Sequence, residues 1–171
     1  MTHALYLMAL PFVIQPPPAI TIPAQLGGPA LPSTYRVGDD VYVGPGQILT
    51  GVTLPALRWS PTWPSQTGAL VELVIYTVDG VQLAPPVSKM YDGSGSITFT
   101  FAGVAVPDTI IVTARNRVPS RQFVWAGSLL HGRTDPEVKE LDLTGVPLDR
   151  PCPWVDMGLA MTLRFAEGDG R

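Results

Sequence analysis

Prolines and glycines are scattered through the whole chain and restrict it to short, extended elements. There are 19 prolines and 17 glycines among 171 residues, and they stand between apolar runs without a fixed period. Proline breaks helices because it lacks a backbone donor, and both residue types favour turns. The pattern is typical of a folded, turn-rich β-protein and not of collagen or a low-complexity segment.

Between these interruptions, apolar and polar residues alternate with the period of two that a half-buried strand requires. The clearest cases are 96–102 and 157–165. The segment 70–78 is apolar on both faces apart from Glu72, and it leads into Asp79-Gly80, a dipeptide suited to a tight hairpin. Further strands are predicted at 40–43, 48–54, 87–90, 109–116 and 121–126. About eight strands with turns between them predict an antiparallel β-sandwich or a small barrel.

Helical periodicity is almost absent, so at most one short helix is expected, near 136–141. Thr134 or Asp135 suits its N-cap, and Pro136 suits its first position. Residues 36–171 are long enough to form one domain with its own core, without help from disulfides or metals.

The first 35 residues contain no Asp, Glu, Lys or Arg, and they include prolines at several positions. We predict that residues 1–35 form an uncharged, extended arm that packs on its own domain or on neighbouring subunits. Both faces of its first segment are apolar, as in a strand covered on two sides. The face proposed as an interface consists of Tyr6, Met8, Leu10, Phe12 and Ile14. Deleting 1–35 is expected to leave the body folded but to abolish assembly.

Two alternatives for the opening residues remain, an uncleaved secretion signal and an element on a membrane surface. A signal needs a basic first region and an uninterrupted apolar run, whereas this chain offers only His3 and is broken by Pro11. A transmembrane helix needs roughly 20 apolar residues, and the prolines at 16–18 end this run too early. Membrane binding is therefore not predicted.

Charge is sparse and slightly acidic, which bears on the choice of partners. Charged residues make up 15% of the chain, the net charge is −3 and the pI is about 5.2. An average soluble protein has roughly 25% charged residues, so the surface is either poor in charge or largely covered by partners. Nucleic-acid binding is not predicted, because its affinity rests on Lys and Arg neutralising phosphates.

No group of residues in the sequence indicates a particular reaction. The single cysteine, Cys152, lies between two prolines and is interpreted as a small buried hydrophobe. The histidines, His3 and His131, match no zinc spacing, and the acids at 135–142 follow no calcium-loop pattern. The sequence therefore predicts that the protein is not an enzyme and has no catalytic, metal or cofactor site.

Two groups of residues are candidate contacts. Trp59 and Trp63 lie in a proline-stiffened loop, where they can pack on the core, form a protein interface or stack on sugars. Arg115, Arg117 and Arg121 concentrate positive charge around a turn. They can contact an acidic neighbour, such as the acids at 135–142 of a sister subunit, or they are ordinary solvated arginines.

Together, an all-β body, few charges and the uncharged arm resemble the β-sandwich structural proteins of tailed-bacteriophage particles, such as capsid decoration, tail or baseplate subunits. The resemblance lies in the overall design, with residues 1–35 in particular, and not in a family motif. It implies a structural subunit of a homo-oligomeric assembly in a virion, with copies of itself and other structural proteins of the particle as partners. The alternative is a carbohydrate-binding or adhesion module, extracellular or on a cell surface, that uses Trp59 and Trp63.

Overall fold

The computed structural model describes residues 18–58, 64–129, 138–150, 152–154 and 156–166. In these ranges the protein is all-β. In chain order the strands are β1 (Ala19–Ile22), β2 (Arg36–Tyr42), β3 (Ile48–Pro55), β4 (Leu70–Thr77), β5 (Val87–Met90), β6 (Ser96–Ala105), β7 (Thr109–Asn116), β8 (Gly127–Ser128), β9 (Lys139–Leu141), β10 (Gly158–Leu159) and β11 (Met161–Phe165).

Two antiparallel sheets form the body. One has the strand order β1-β11-β3-β6 and the other the order β5-β4-β7-β2-β9, while β8 and β10 form a short separate pair. Both large sheets have open edges and contribute side chains to a common core. Of the two architectures predicted from the sequence, the protein therefore adopts the sandwich and not the closed barrel.

The core is built from the inward-facing side chains of both sheets. Its largest fully buried members include Trp125, Phe123 and Tyr91. The rings of Tyr91 and Phe123 meet edge to face at a centroid distance of 5.2 Å. The indole Nε1 of Trp125 donates a hydrogen bond of 2.6 Å to the carbonyl oxygen of Ala160, which satisfies the polar end of this buried ring.

Residues 18–35, which the sequence analysis assigned to the arm, belong to the sandwich. β1 pairs with β11, with Ala19 opposite Arg164. Leu31 donates its N–H to the carbonyl oxygen of Phe123 at 2.8 Å, and both Ile22 and Leu31 are only 5% exposed. A deletion of 1–35 would remove an edge strand and part of the core, so the expectation that the body folds without these residues is corrected. Residues 1–17 lie outside the described residues.

Two local predictions also need correction. Residues 139–141 form β9 and not the end of a helix, because they pair with the open edge of β2, and this long-range pairing overrides local helix signals. The rest of the expected helix, 136–138, includes only Val138 among the described residues, and Val138 is not helical. The predicted strand 157–165 is interrupted at Ala160, whose N–H donates a hydrogen bond of 2.9 Å to the carbonyl oxygen of Ala126.

One end of the sandwich is defined by the point at which residues 1–17 attach, and we call it the proximal end. Pro18 lies there, because its carbonyl oxygen accepts the N–H of Phe165 at 3.0 Å and Phe165 pairs with Leu49 at the start of β3. The loops 43–47 and 106–108 both cross between the two sheets at this end.

Candidate functional site

Four exposed aliphatic side chains lie on two turns, one after β4 and one after β9. Val78 is 59% exposed, Val81 60%, Leu143 45% and Val146 58%. They are four of the nine large hydrophobic side chains that are exposed within the described residues. We call these four residues the apolar tip.

The two turns touch each other, so the four exposed residues lie on neighbouring turns. Gly145 has a φ of +95°, and a Cβ added to it would lie 2.5 Å from the ring of Tyr76, so only glycine fits there. A Cβ on Gly80 would lie 3.5 Å from the carbonyl oxygen of Gly145. The tip therefore unites residues from distant parts of the sequence on a single surface.

Asp142 fixes the shape of the second turn. Its Oδ1 accepts hydrogen bonds from Thr144 Oγ1 at 2.7 Å, from the Thr144 N–H at 2.8 Å and from the Val146 N–H at 3.0 Å. These bonds, led by the one from the Thr144 side chain, lower the pKa of Asp142. The turn is thus held by its own hydrogen bonds, and little conformational entropy remains to be lost when a partner binds.

The first turn of the apolar tip, after β4, lies at the proximal end of the sandwich, and the second turn touches it through Gly145. β4 reaches this end at Thr77, which pairs with Ile110 near the start of β7. Tyr42 and Ile48, which flank the 43–47 loop there, are 53% and 46% exposed. The end where residues 1–17 attach therefore carries four of the nine exposed large hydrophobic side chains in the described part of the chain: Tyr42, Ile48, Val78 and Val81. The turn with Leu143 and Val146 touches this end through Gly145.

A buried ion-pair cluster occupies the other end of the same sheet, on the outer face that is turned away from the core. Glu72 Oε1 accepts hydrogen bonds from Arg36 Nη2 and from Arg115 Nε, the latter at 2.8 Å, and Arg115 Nη2 lies 3.2 Å from Oε2. Arg117 Nη1 lies 3.4 Å from Oε2. Burial alone would raise the pKa of Glu72, but the hydrogen bonds and charges of Arg115 and Arg36 outweigh it and leave this pKa below its usual value.

The cluster links three strands, because Arg36, Glu72 and Arg115 come from β2, β4 and β7. Arg36 is only 3% exposed, and its Nε and Nη1 have no hydrogen-bond partner in the described part of the chain. Arg117 is half exposed. The arrangement neutralises a buried carboxylate and fixes the order of the strands, and it leaves Arg117 as the group that solvent reaches.

A second buried acid, Asp39, lies on the inner face of the same sheet. Asp39 is 0% exposed, its Oδ2 accepts the N–H of Leu159 at 2.6 Å, and its Oδ1 has no hydrogen-bond partner among the described residues. Burial raises the pKa of Asp39 to about 8, against the smaller lowering effect of the Leu159 hydrogen bond. The carboxyl group is therefore mostly protonated at neutral pH.

A groove of about 390 Å³ lies elsewhere on the surface, between 24–27 and 56–58, with Ala126 also in its lining. This volume is within the range of small-molecule sites, roughly 300 to 1,000 Å³. Arg58 lines the groove and is followed in sequence by 59–63, the segment that contains both candidate tryptophans.

The sequence-predicted contact residues divide into three groups. Arg115 and Arg117 meet at Glu72, so the structure gives them an acidic partner within the chain. Arg121 is exposed and closes a turn by donating its N–H to the Val118 carbonyl at 3.0 Å. The arm face Tyr6, Met8, Leu10, Phe12 and Ile14, together with Trp59, Trp63 and His131, lies outside the described residues. Cys152 is half-buried and packs against the core.

No protein-family model, curated protein or solved structure matches the chain. In the part of the chain that the structure describes, there is no group of three His, Cys, Asp or Glu residues that could hold a metal ion. Within the same ranges no helix is long and apolar enough to cross a membrane. The functional argument therefore depends on the surfaces described above.

Sequence reasoning missed Asp39 and the apolar tip. A signal for Asp39 was present, because it shares its strand parity with Val37 and Val41, which face the core. For the tip, the Asp79-Gly80 turn was predicted, but its contact with the turn at Gly145 depends on tertiary packing that no local pattern encodes.

Proposed function

We propose that this protein is a structural subunit of a homo-oligomeric assembly in which residues 1–17 pack against neighbouring copies. One observation carries the proposal. The exposed aliphatic side chains of the sandwich concentrate at the proximal end, where an uncharged, largely apolar N-terminal segment begins. Exposed apolar patches on a soluble protein mark interaction surfaces.

The energy available from the arm is of the size that assembly requires. Burying five apolar side chains of one arm face stabilises by roughly 8 to 15 kcal/mol, at about 1.5 to 3 kcal/mol each. Association costs an estimated 4 to 15 kcal/mol in lost rigid-body freedom. Because the two ranges are similar, the apolar character of the arm decides whether copies associate.

The form of assembly that we propose is a bacteriophage virion, with the protein as a capsid decoration, tail or baseplate subunit. The support is the resemblance in overall design, together with a rigid sandwich and an uncharged terminal segment. Other structural proteins of the particle are the further partners in this proposal. Electron microscopy of the assembled material tests it, because a shell, a tube and a closed ring differ in shape.

The test of self-assembly is the mass of the full chain in solution, measured by sedimentation equilibrium over a range of concentrations. We expect multiples of the 18.3 kDa chain mass. The full-length double variant Leu10→Asp and Phe12→Asp should shift the mass to that of a single copy, because charge on the arm cannot be buried cheaply. A single-copy mass for the unaltered chain at every concentration would contradict the proposal.

A second candidate function is carbohydrate binding, and the groove beside 59–63 favours it. The groove has the size of a small-ligand site, and Arg58 can donate hydrogen bonds to sugar hydroxyl groups. Titration with a glycan panel, followed by tryptophan fluorescence, tests this candidate. A fluorescence change that Trp63→Ala abolishes supports it, and its absence with every glycan counts against it.

A further inference from the structure

We propose that the apolar tip is the surface that receives residues 1–17 of a second copy. The inference rests on the proposed function and deepens it, because it names where the arm binds. The tip is formed by Val78, Val81, Leu143 and Val146.

The chemistry of the tip fits an uncharged segment. Its four exposed side chains are aliphatic, and residues 1–17 contain no formally charged side chain. Two carboxylates lie in the same turns. Asp142 is engaged by the backbone and hydroxyl of its own turn, whereas Asp79 is exposed at the hairpin. An uncharged occupant can cover the aliphatic surface without placing a second charge against Asp79.

The extent of the tip argues for an arm as occupant and against simple contact between two tips. Stable interfaces bury roughly 1,200 to 2,000 Å² in total, and two sets of four side chains are too few for that area. A 17-residue segment that is apolar on both faces supplies the missing surface. Reciprocal exchange of two such segments also closes into a symmetric dimer.

The attachment point and the local sequence favour a neighbouring copy over the same copy. At up to about 3.3 Å per extended residue, 17 residues span roughly 56 Å, so the reach is sufficient for either. However, the three consecutive prolines at 16–18 favour a stiff polyproline spacer. A stiff spacer of this kind resists a sharp reversal of the chain, which favours the tip of a neighbouring copy over the tip of the same sandwich.

The experiment mixes two defective full-length variants. The donor variant, Val81→Asp with Val146→Asp, keeps its arm but has a defective tip. The acceptor variant, Leu10→Asp with Phe12→Asp, keeps its tip but has a defective arm. Each variant alone should associate at least roughly 100-fold more weakly than the unaltered chain, because aspartates cannot be buried in an apolar contact without a partner. An equimolar mixture should form two-copy complexes, since it contains one intact arm and one intact tip.

A matched control is Met90→Asp, because Met90 is 54% exposed and lies at the far end of the same sheet, opposite Leu70. It should assemble like the unaltered chain. Thermal unfolding followed by circular dichroism checks that every variant is folded. If the Val81→Asp, Val146→Asp variant is not folded, Val81→Ser with Val146→Ser replaces it.

Each other outcome has a distinct meaning. Assembly of the Val81/Val146 variant at unaltered strength would overturn the inference but leave the proposed function standing. Assembly of the Leu10/Phe12 variant alone would overturn it in favour of tip-to-tip contact. A mixture that stays single-copy, although each variant has lost assembly, would overturn the inference, because an intact arm and an intact tip would then fail to bind each other. A single-copy unaltered chain would refute both the inference and the proposed function.

Discussion

Asp39 and Glu72 are both buried acids in the five-stranded sheet, but their surroundings give them opposite properties. Asp39 faces the core, where one backbone N–H contacts it, and its pKa is raised to about 8. Glu72 faces outward among three arginines, and its pKa is lowered. Exposure does not distinguish them, since they are 0% and 5% exposed.

The difference shows that partners, more than burial, decide the charge state of these two groups. Both side chains lose solvation, which disfavours the ionised form. On the outer face, guanidinium groups from β2 and β7 more than compensate for that loss. On the inner face the surroundings are apolar, and Lys139, which pairs with Asp40 at 3.3 Å, compensates only weakly. Substitutions of Asp39, of Glu72 or of their charged neighbours test this difference.

The largest effect is expected from Asp39→Asn above pH 8. The pKa of Asp39 is raised from 3.8 to about 8 on folding, so the native state binds the extra proton between these values. The contribution of Asp39 to stability is therefore largest below pH 4 and falls as the pH rises to 8, by an amount on the order of 5 kcal/mol. Asparagine resembles the protonated carboxyl, so this variant should lose the pH dependence. Urea unfolding from pH 5 to pH 9 measures it.

Asp40→Asn is the control, because Asp40 is only half-buried and already faces Lys139. Its free energy of unfolding should stay within about 1 kcal/mol of the unaltered protein across the same range. If the unaltered protein is equally stable at pH 5 and pH 9, Asp39 does not differ from Glu72 in the way described.

The next effect concerns Glu72→Gln, which removes the negative charge and leaves the buried Arg36 beside the half-buried Arg115. Breaking a buried ion pair on one side typically costs about 3 to 5 kcal/mol, and we expect a loss of that size at pH 7. Because the folded pKa lies below the usual 4.5, the contribution of Glu72 is present above that pH and disappears in acid. The variant should therefore differ less from the unaltered protein at pH 3.

Chemical denaturation at both pH values checks this prediction. Glu140→Gln serves as the comparison variant: the Glu140 side chain is also only 8% exposed, but its partner Arg150 is 46% exposed, so we expect a smaller loss than for Glu72→Gln. A loss for Glu72→Gln no greater than that for Glu140→Gln would mean that the arginine cluster does not stabilise the sheet.

The smallest effect is expected from Arg117→Ala. Arg117 is half exposed and lies 3.4 Å from Glu72, whereas Arg36 and Arg115 keep their hydrogen bonds to that carboxylate. Its loss should lower the free energy of unfolding by less than about 1 kcal/mol. Thermal melts of Arg117→Ala and Arg115→Ala, compared at one pH, should rank Arg115 as the more costly loss. The reverse order would mean that the exposed Arg117, and not Arg115, is the more important partner of Glu72.

Much of the fold could be predicted from local patterns. The strand that begins at Ser96 and the hairpin at Asp79-Gly80 follow from alternation and turn chemistry alone. β9 could not be found in this way, because its residues become a strand only where the edge of β2 is available. Of the candidate site, the sequence predicted only the uncharged arm. The surface proposed to receive the arm is formed by two turns that are distant in the sequence, so no local pattern indicates it.

The sequence by itself determined that the chain is all-β, which faces of its strands are apolar, and that its first 35 residues carry no charge. Only the tertiary structure decided that 18–35 join the sandwich, that three arginines from two separate segments surround Glu72, and that Gly80 meets Gly145. The physical reason is that alternation along a strand specifies which face is buried. It does not specify which strands become neighbours, and these contacts depend on that order.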